Sequence, residues 1–192
     1  MKVRAGAREF RVQELRPKFG FCLIDLQFET GDRRVRWMTG SLNEGIEALV
    51  KFVEFLKEAK IPIGLIEIET ASSPTNTRLV EVAGNGVTTI KKKSVDAFEN
   101  PQMDAFLEHN KVDTMIVAGF HPLVCVKQTA LSGLARKYEV WTSRQLLFTS
   151  EIGDSGFGRT MHEAHQLKFY RDTTSYFETL DELERKIRSL IS

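Results

Sequence analysis

A chain of 192 residues, 42% hydrophobic and 28% charged, has the makeup of a folded protein with a sizeable core, and its length fits one domain over residues 1–192. The formal net charge of +1 excludes a general attraction to nucleic acid or to an anionic membrane surface. Two cysteines exclude a disulfide framework, and no apolar stretch approaches the roughly 18–20 residues that span a bilayer. The opening segment "MKVRAGAREFRVQELRPKFG" is charged throughout and lacks the hydrophobic run of a signal peptide, so a cytoplasmic protein with free thiols is expected. The basic runs Lys91–Lys93 and "RRVR" (Arg33 to Arg36) are too short for nucleic-acid tracts and read as solvated charge.

The elements follow in chain order. "FGFCLIDLQ", residues 19–27, is apolar up to Asp25 and reads as a buried strand. "SLNEGIEALVKFVEFLKEAK" places Leu42, Ile46, Leu49, Val50, Val53 and Leu56 at helical spacing, with Ser41 and Glu44 as a capping box. "IPIGLIEIE" is a second strand and "VTTIKK", ending at Lys92, a third. "NPQMDAFLEHN" is a short helix with Pro101 near its start. "VDTMIVAGF" is a fourth strand, buried on both faces, and "LVCVKQTALSGLARKY" a helix. "YEVWTS" and "LKFYR" read as strands five and six, and "TLDELERKIRSLI" as a final amphipathic helix capped by Thr179 and Glu182. Alternating strands and helices imply an α/β fold, a three-layer αβα sandwich with a doubly wound, mainly parallel six-stranded sheet.

Ligands in such sheets bind beyond the carboxyl ends of the strands. Asp25 ends the first strand, Lys92 ends the third and Cys125 follows the fourth, so all three face one rim. At the first turn of a helix the unpaired N–H groups and the dipole stabilise a thiolate, and a nearby ammonium would lower the thiol pKa further. Asp25 is placed to exchange the thiol proton, and the backbone of the "GFHPLVC" turn to hold an oxyanion. Each residue also has a plain structural reading. A cysteine near a helix start is commonly a small buried hydrophobe, an aspartate ending a strand often only caps a loop, and a lysine in a run is most often solvated. The coincidence of the three at one rim is what favours chemistry.

The remaining signals are weaker. Cys22 alternates to the opposite face of its strand from Asp25 and reads as a core thiol. "GDSGFGRT" (Gly153 to Thr160) lacks the ending of a phosphate loop and reads as a flexible connection. His162 and His165 are one residue short of the zinc-helix spacing and read as a helix-surface pair. His121 lies in the turn itself, where it either lines a pocket or faces solvent.

The segments "LIDLQ", "KKSVDAF" and "VDTMIVAGFHPLVCVKQTALSGLARKYEV" together resemble the isochorismatase-like cysteine hydrolases. The pattern there is a strand ending Asp-x-Gln, a lysine six residues before an aromatic, and a buried strand ending in glycine with Cys-Val six residues later. Here these fall on Asp25 and Gln27, on Lys92 and Phe98, and on Gly119, Cys125 and Val126. The resemblance implies a catalytic triad of Asp25, Lys92 and Cys125. It implies a cis peptide between Phe120 and His121 that aims the N–H groups of His121 and Cys125 at a developing oxyanion. It also implies a small-molecule substrate, a homodimer or homotetramer, and pocket positions among Gln27, Phe28, Phe98 and His121.

The chain departs from that pattern in places. Pro122 and Leu123 stand where members commonly carry Thr-Asp, and Thr30 where an aromatic is common. "IEIETASSPTN" replaces the Asp-x-His metal motif of the nicotinamidase branch: Glu67 and Glu69 have no histidine beside them. No metal and no cofactor are expected. The leading expectation is a hydrolase of an amide or related C–N bond working through a covalent Cys125 intermediate. A binding or scaffold protein that kept the fold and lost catalysis is the second reading, and a thiol redox protein the third.

Overall fold

The central strand explains the layering. In β1 (Phe19–Ile24), every residue is buried, and alternation sends Phe19, Phe21 and Leu23 into one core and Cys22 and Ile24 into another. A computed structural model describes residues 17–29, 32, 35–150 and 156–192, with the side chains of 156–163 and 166 outside the description. The first core lies under α1 (Leu42–Glu58), α2 (Thr77–Ala83) and α6 (Leu180–Ile191), the second under α3 (Pro101–His109), α4 (Cys125–Ala135) and α5 (Gly156–Thr173). This is the expected three-layer arrangement. Both expected capping boxes form, at Ser41/Glu44 and Thr179/Glu182.

Around β1 lie β3 (Ile63–Ile68), β4 (Thr88–Lys92) and β5 (Thr114–Phe120), in the order β4-β3-β1-β5, all parallel. Beyond β5 the sheet forks. The first half of β5 pairs with β6 (Glu139–Ser143), which pairs with β8 (Ser175–Phe177). The last two residues of β5 pair with β7 (Leu147–Ser150), which carries β2 (Val35–Trp37) as the antiparallel pair.

Among the described residues the sheet therefore has eight strands rather than six. The expected sixth strand, "LKFYR", lies inside α5. Leu167 and Tyr170, three apart, both face the core at 2% and 0% exposure, which is helical spacing. Thr174 then closes the helix by donating its N–H and hydroxyl to Tyr170 O. A five-residue apolar window does not separate the two periods.

Three of the helices hand over to strands in the same way. Lys60, Lys111 and Lys137 adopt positive φ (56°, 55° and 70°) after α1, α3 and α4. The next residue donates back across the last turn, Ile61 to Leu56 O (2.9 Å), Val112 to Leu107 O (2.9 Å) and Tyr138 to Gly133 O (3.1 Å). These are Schellman endings with lysine in the place usually held by glycine.

At the other end of β5, glycine is required. Gly119 has φ 136°, and a Cβ there would lie 2.0 Å from Ile24 O. That close approach sets the turn after β5 beside the end of β1. Among the described residues, no helix is long and apolar enough to cross a membrane.

Candidate active site

Asp25, Lys92 and Cys125 converge at the carboxyl rim of the sheet. Asp25 follows β1 with φ 53°, its N–H held by Ile66 O at 2.9 Å. Lys92 closes β4 and is 1% exposed. Its ammonium passes the end of β3 to reach Asp25 Oδ2 at 2.8 Å and also donates to Ser94 O at 2.8 Å. Lys91, read from the sequence as solvated charge, pairs with Glu67. The second Glu67 oxygen accepts from the Thr75 N–H (2.6 Å) and hydroxyl (2.7 Å). Burial raises the Glu67 carboxyl, but Lys91 and Thr75 outweigh it and hold the pKa below the ordinary value.

The other Asp25 oxygen, Oδ1, is buried without a hydrogen-bond partner of good geometry. Cys125, the first residue of α4 and 6% exposed, lies against the same carboxylate. The expected thiolate is not the resting state. Burial pushes the Cys125 thiol up to about 11, Asp25 adds to the rise as acceptor and as a negative charge, and Lys92 only partly offsets them. At neutral pH the thiol therefore keeps its proton beside a carboxylate able to take it.

The turn that carries Cys125 differs from the expectation in two ways. No cis peptide occurs among the described residues, so the Phe120–His121 bond is trans. Gly119 at φ 136° and His121 at φ 60° reverse the chain instead. The His121 N–H, expected at an oxyanion, donates to Phe148 O at 3.0 Å and so extends the β5–β7 pairing. The Cys125 N–H, at the first position of α4, has no acceptor within its own helix, and it is the member of the expected pair left for an anion.

A cavity of about 460 Å³ opens above these groups, with Asp25, His121 and Cys125 in its wall beside Phe28 and Phe120. The two phenylalanine rings meet edge to face at 5.2 Å. His121 therefore lines the cavity, its ring 3.7 Å from that of Phe120. Burial lowers its pKa, Asp25 pulls it up and Lys92 pushes it down, for a net fall. Gln27 is in the wall too, but its amide is committed to the loop after β3: it donates to Ile68 O (3.2 Å) and Ser73 O (2.8 Å) and accepts from Ile68 N (2.6 Å).

Phe98 is not in the cavity wall. Asp96 accepts from the Phe98 N–H at 3.0 Å and closes a short 3₁₀ turn, Ala97–Glu99. The ring then stacks on Tyr138 (6.3 Å) under the Arg136 guanidinium (4.2 Å). Cys22 is fully buried, with its thiol raised to about 12 by burial. It shares a core layer with Cys125, because alternation along β1 sends it to the side that α4 covers. His165 is exposed. Thr30, Arg33, Arg34 and Gly153 to Ser155 lie outside the described residues, as does the His162 side chain.

Sequence reasoning missed Val35, Ile68, Ala71 and Ser150 in the cavity wall, which are ordinary residues at strand ends and in loops. It also missed Tyr170, whose hydroxyl reaches Pro122 O in the nucleophile turn at 2.5 Å.

A cysteine heading a helix, beside a buried aspartate–lysine pair at the carboxyl rim of a parallel sheet, defines a doubly wound α/β protein built around a thiol-containing pocket. The isochorismatase domain matches residues 20–147, two thirds of the chain and all three rim residues, and the chain belongs to the isochorismatase family of hydrolases. The fold is similar to that of a ribonuclease from Caenorhabditis elegans (17% identity, 92% of this chain and 90% of that one, TM-score 0.70). It is similar also to a cysteine hydrolase from Pseudomonas syringae pv. phaseolicola (16%, 90% and 93%, TM-score 0.66). A nicotinamidase from Staphylococcus aureus shares it as well (15%, 84% and 99%, TM-score 0.67). No curated protein matches the chain.

Proposed function

We propose that the chain is a cysteine-dependent hydrolase of a small molecule, acting on an amide or related C–N bond. The observation that carries this reading is the buried Lys92–Asp25 pair at 2.8 Å, with the second carboxylate oxygen outside any hydrogen bond and the Cys125 thiol against the same carboxylate. A carboxylate with one oxygen held by a cation and one open is arranged to accept a single proton.

Cys125 Sγ attacks the carbonyl carbon as its proton passes to Asp25. The Cys125 N–H faces the oxygen on which charge develops. Collapse expels the amine, which takes the proton from Asp25 and leaves a thioester on Cys125. Water then attacks the thioester, Asp25 removes its proton, and the departing thiolate recovers that proton as the acid is released. Lys92, 2.8 Å from Asp25 Oδ2, holds the carboxylate in place through both transfers.

The test is an amide screen with intact-mass detection. The expected result is an acyl mass increment on Cys125 with a slowly hydrolysed substrate, and loss of turnover by at least about 1,000-fold in Cys125→Ala. Full turnover in that variant would sink the mechanism. One observation favours a second reading, a binding protein that no longer turns over substrate. The His121 N–H is already bonded to Phe148 O, so of the two expected oxyanion donors only the Cys125 N–H remains. Saturable ligand binding with no covalent adduct on any substrate would support it.

A further inference from the structure

We infer that Tyr170 is a positioning residue for Cys125, a tether from α5 that fixes the nucleophile turn; this rests on the catalytic reading above. The head of α4 is otherwise weakly held. Its N-cap, Val124, has no side-chain acceptor for the free N–H groups of the first turn, where serine, threonine or aspartate would ordinarily stand. Pro122 has no N–H to contribute. Within the turn, Val124 and Val126 donate back to His121 O at 3.0 and 3.4 Å.

Among the described residues, only one side chain hydrogen-bonds the backbone between Phe120 and Cys125. That is Tyr170, which donates to Pro122 O at 2.5 Å across 48 positions of sequence. The ring is fully buried, and a buried phenol finds a partner because leaving it unpaired is costly. The choice of partner is informative. The hydroxyl takes the carbonyl three residues before the nucleophile.

Tyr170 is itself well anchored. Its own carbonyl accepts from the Thr174 N–H (3.0 Å) and hydroxyl (2.7 Å), and Leu167, one turn earlier, is buried beneath α5. On the outer side, Lys127 of α4 lies 5.1 Å over the Phe169 ring. The clamp lies beyond the stretch that matches the isochorismatase domain, which ends at residue 147. In this chain an element outside that stretch holds the one inside it.

The test is Tyr170→Phe, which removes one hydroxyl and keeps the ring. The readout is the rate of Cys125 alkylation by iodoacetamide against pH, resolved by peptide mass. A loosened turn lets water reach the thiol, so its apparent pKa is expected to fall by about 1 unit or more toward the free-thiol value. On any substrate found, kcat is expected to fall roughly 10- to 100-fold with little change in KM. Leu183→Ala, in the opposite core layer, serves as a variant of comparable or greater destabilisation and should leave the profile unchanged. A wild-type profile in Tyr170→Phe, or an equal shift in Leu183→Ala, would overturn the proposal.

Hydrogen exchange on the unmodified protein decides the matter if Tyr170→Phe does not fold. The peptides covering 120–128 and 167–173 should open as one unit, and independent opening overturns the clamp. Neither readout needs a substrate, so a failure here is distinct from retention of turnover by Cys125→Ala.

Discussion

The two rims of the sheet use the same unfavourable backbone region for different ends. Five described non-glycine residues have positive φ: Lys60, Lys111 and Lys137 before strands, and Asp25 and His121 after them. Before the strands, positive φ only terminates a helix. The Schellman bonds complete each ending and the lysine side chains are exposed. After the strands, the same region holds side chains that line the cavity. Glycine relieves the first kind of strain and leaves nothing missing, whereas at the second it would delete the group the conformation serves to aim.

Lysine substitutions at the two rims turn that difference into opposite signs. The larger effect belongs to Lys92, which is buried against Asp25. Lys92→Met strands a buried carboxylate and should lower stability by about 3–5 kcal/mol, with most of it recovered when Asp25→Asn, which tolerates the positive φ, is added. Denaturant unfolding of the two single variants and the double variant measures both quantities. An additive double variant would break the comparison, since it would mean that the pair is solvated in solution. The smaller effect belongs to Lys111. Lys111→Gly removes αL strain from an exposed side chain and should raise stability by about 0.5–1 kcal/mol in the same assay. A loss at Lys111 would mean that its stem packs on the helix end and that the two rims are less different than their geometry implies.

Much of this arrangement was legible in the sequence because it rests on local periodicity. Continuous apolar runs gave β1, β3 and β5, capping boxes gave the starts of α1 and α6, and the carboxyl-rim rule brought Asp25, Lys92 and Cys125 to one place. What was not legible depends on partners distant in the chain. The protonated state of Cys125 follows from burial, and burial at a helix head is set by the elements that pack over it. The bond from His121 N to Phe148 O requires β7, which lies beyond a 3₁₀ turn at Arg144–Leu146 that periodicity does not mark. Phe98 kept its spacing from Lys92 but was turned away from the cavity by the Asp96 cap. Tyr170 was hidden by a short apolar run that fits either period, and its partner lies 48 residues away.

The central claim is that Asp25 and Lys92 act on Cys125 as one unit. It is tested most directly by the pH dependence of Cys125 alkylation in the unmodified protein, in Asp25→Asn and in Lys92→Met. The thiol's pKa lies at about 11, raised by burial and Asp25 and lowered by Lys92. The folded protein should therefore react slowly at neutral pH, with a rate that climbs until pH approaches 11. Asp25→Asn should move that rise to lower pH and Lys92→Met to higher pH. A thiol that titrates near 9 and ignores both substitutions would contradict the account, leaving Cys125 a packing residue at the head of α4.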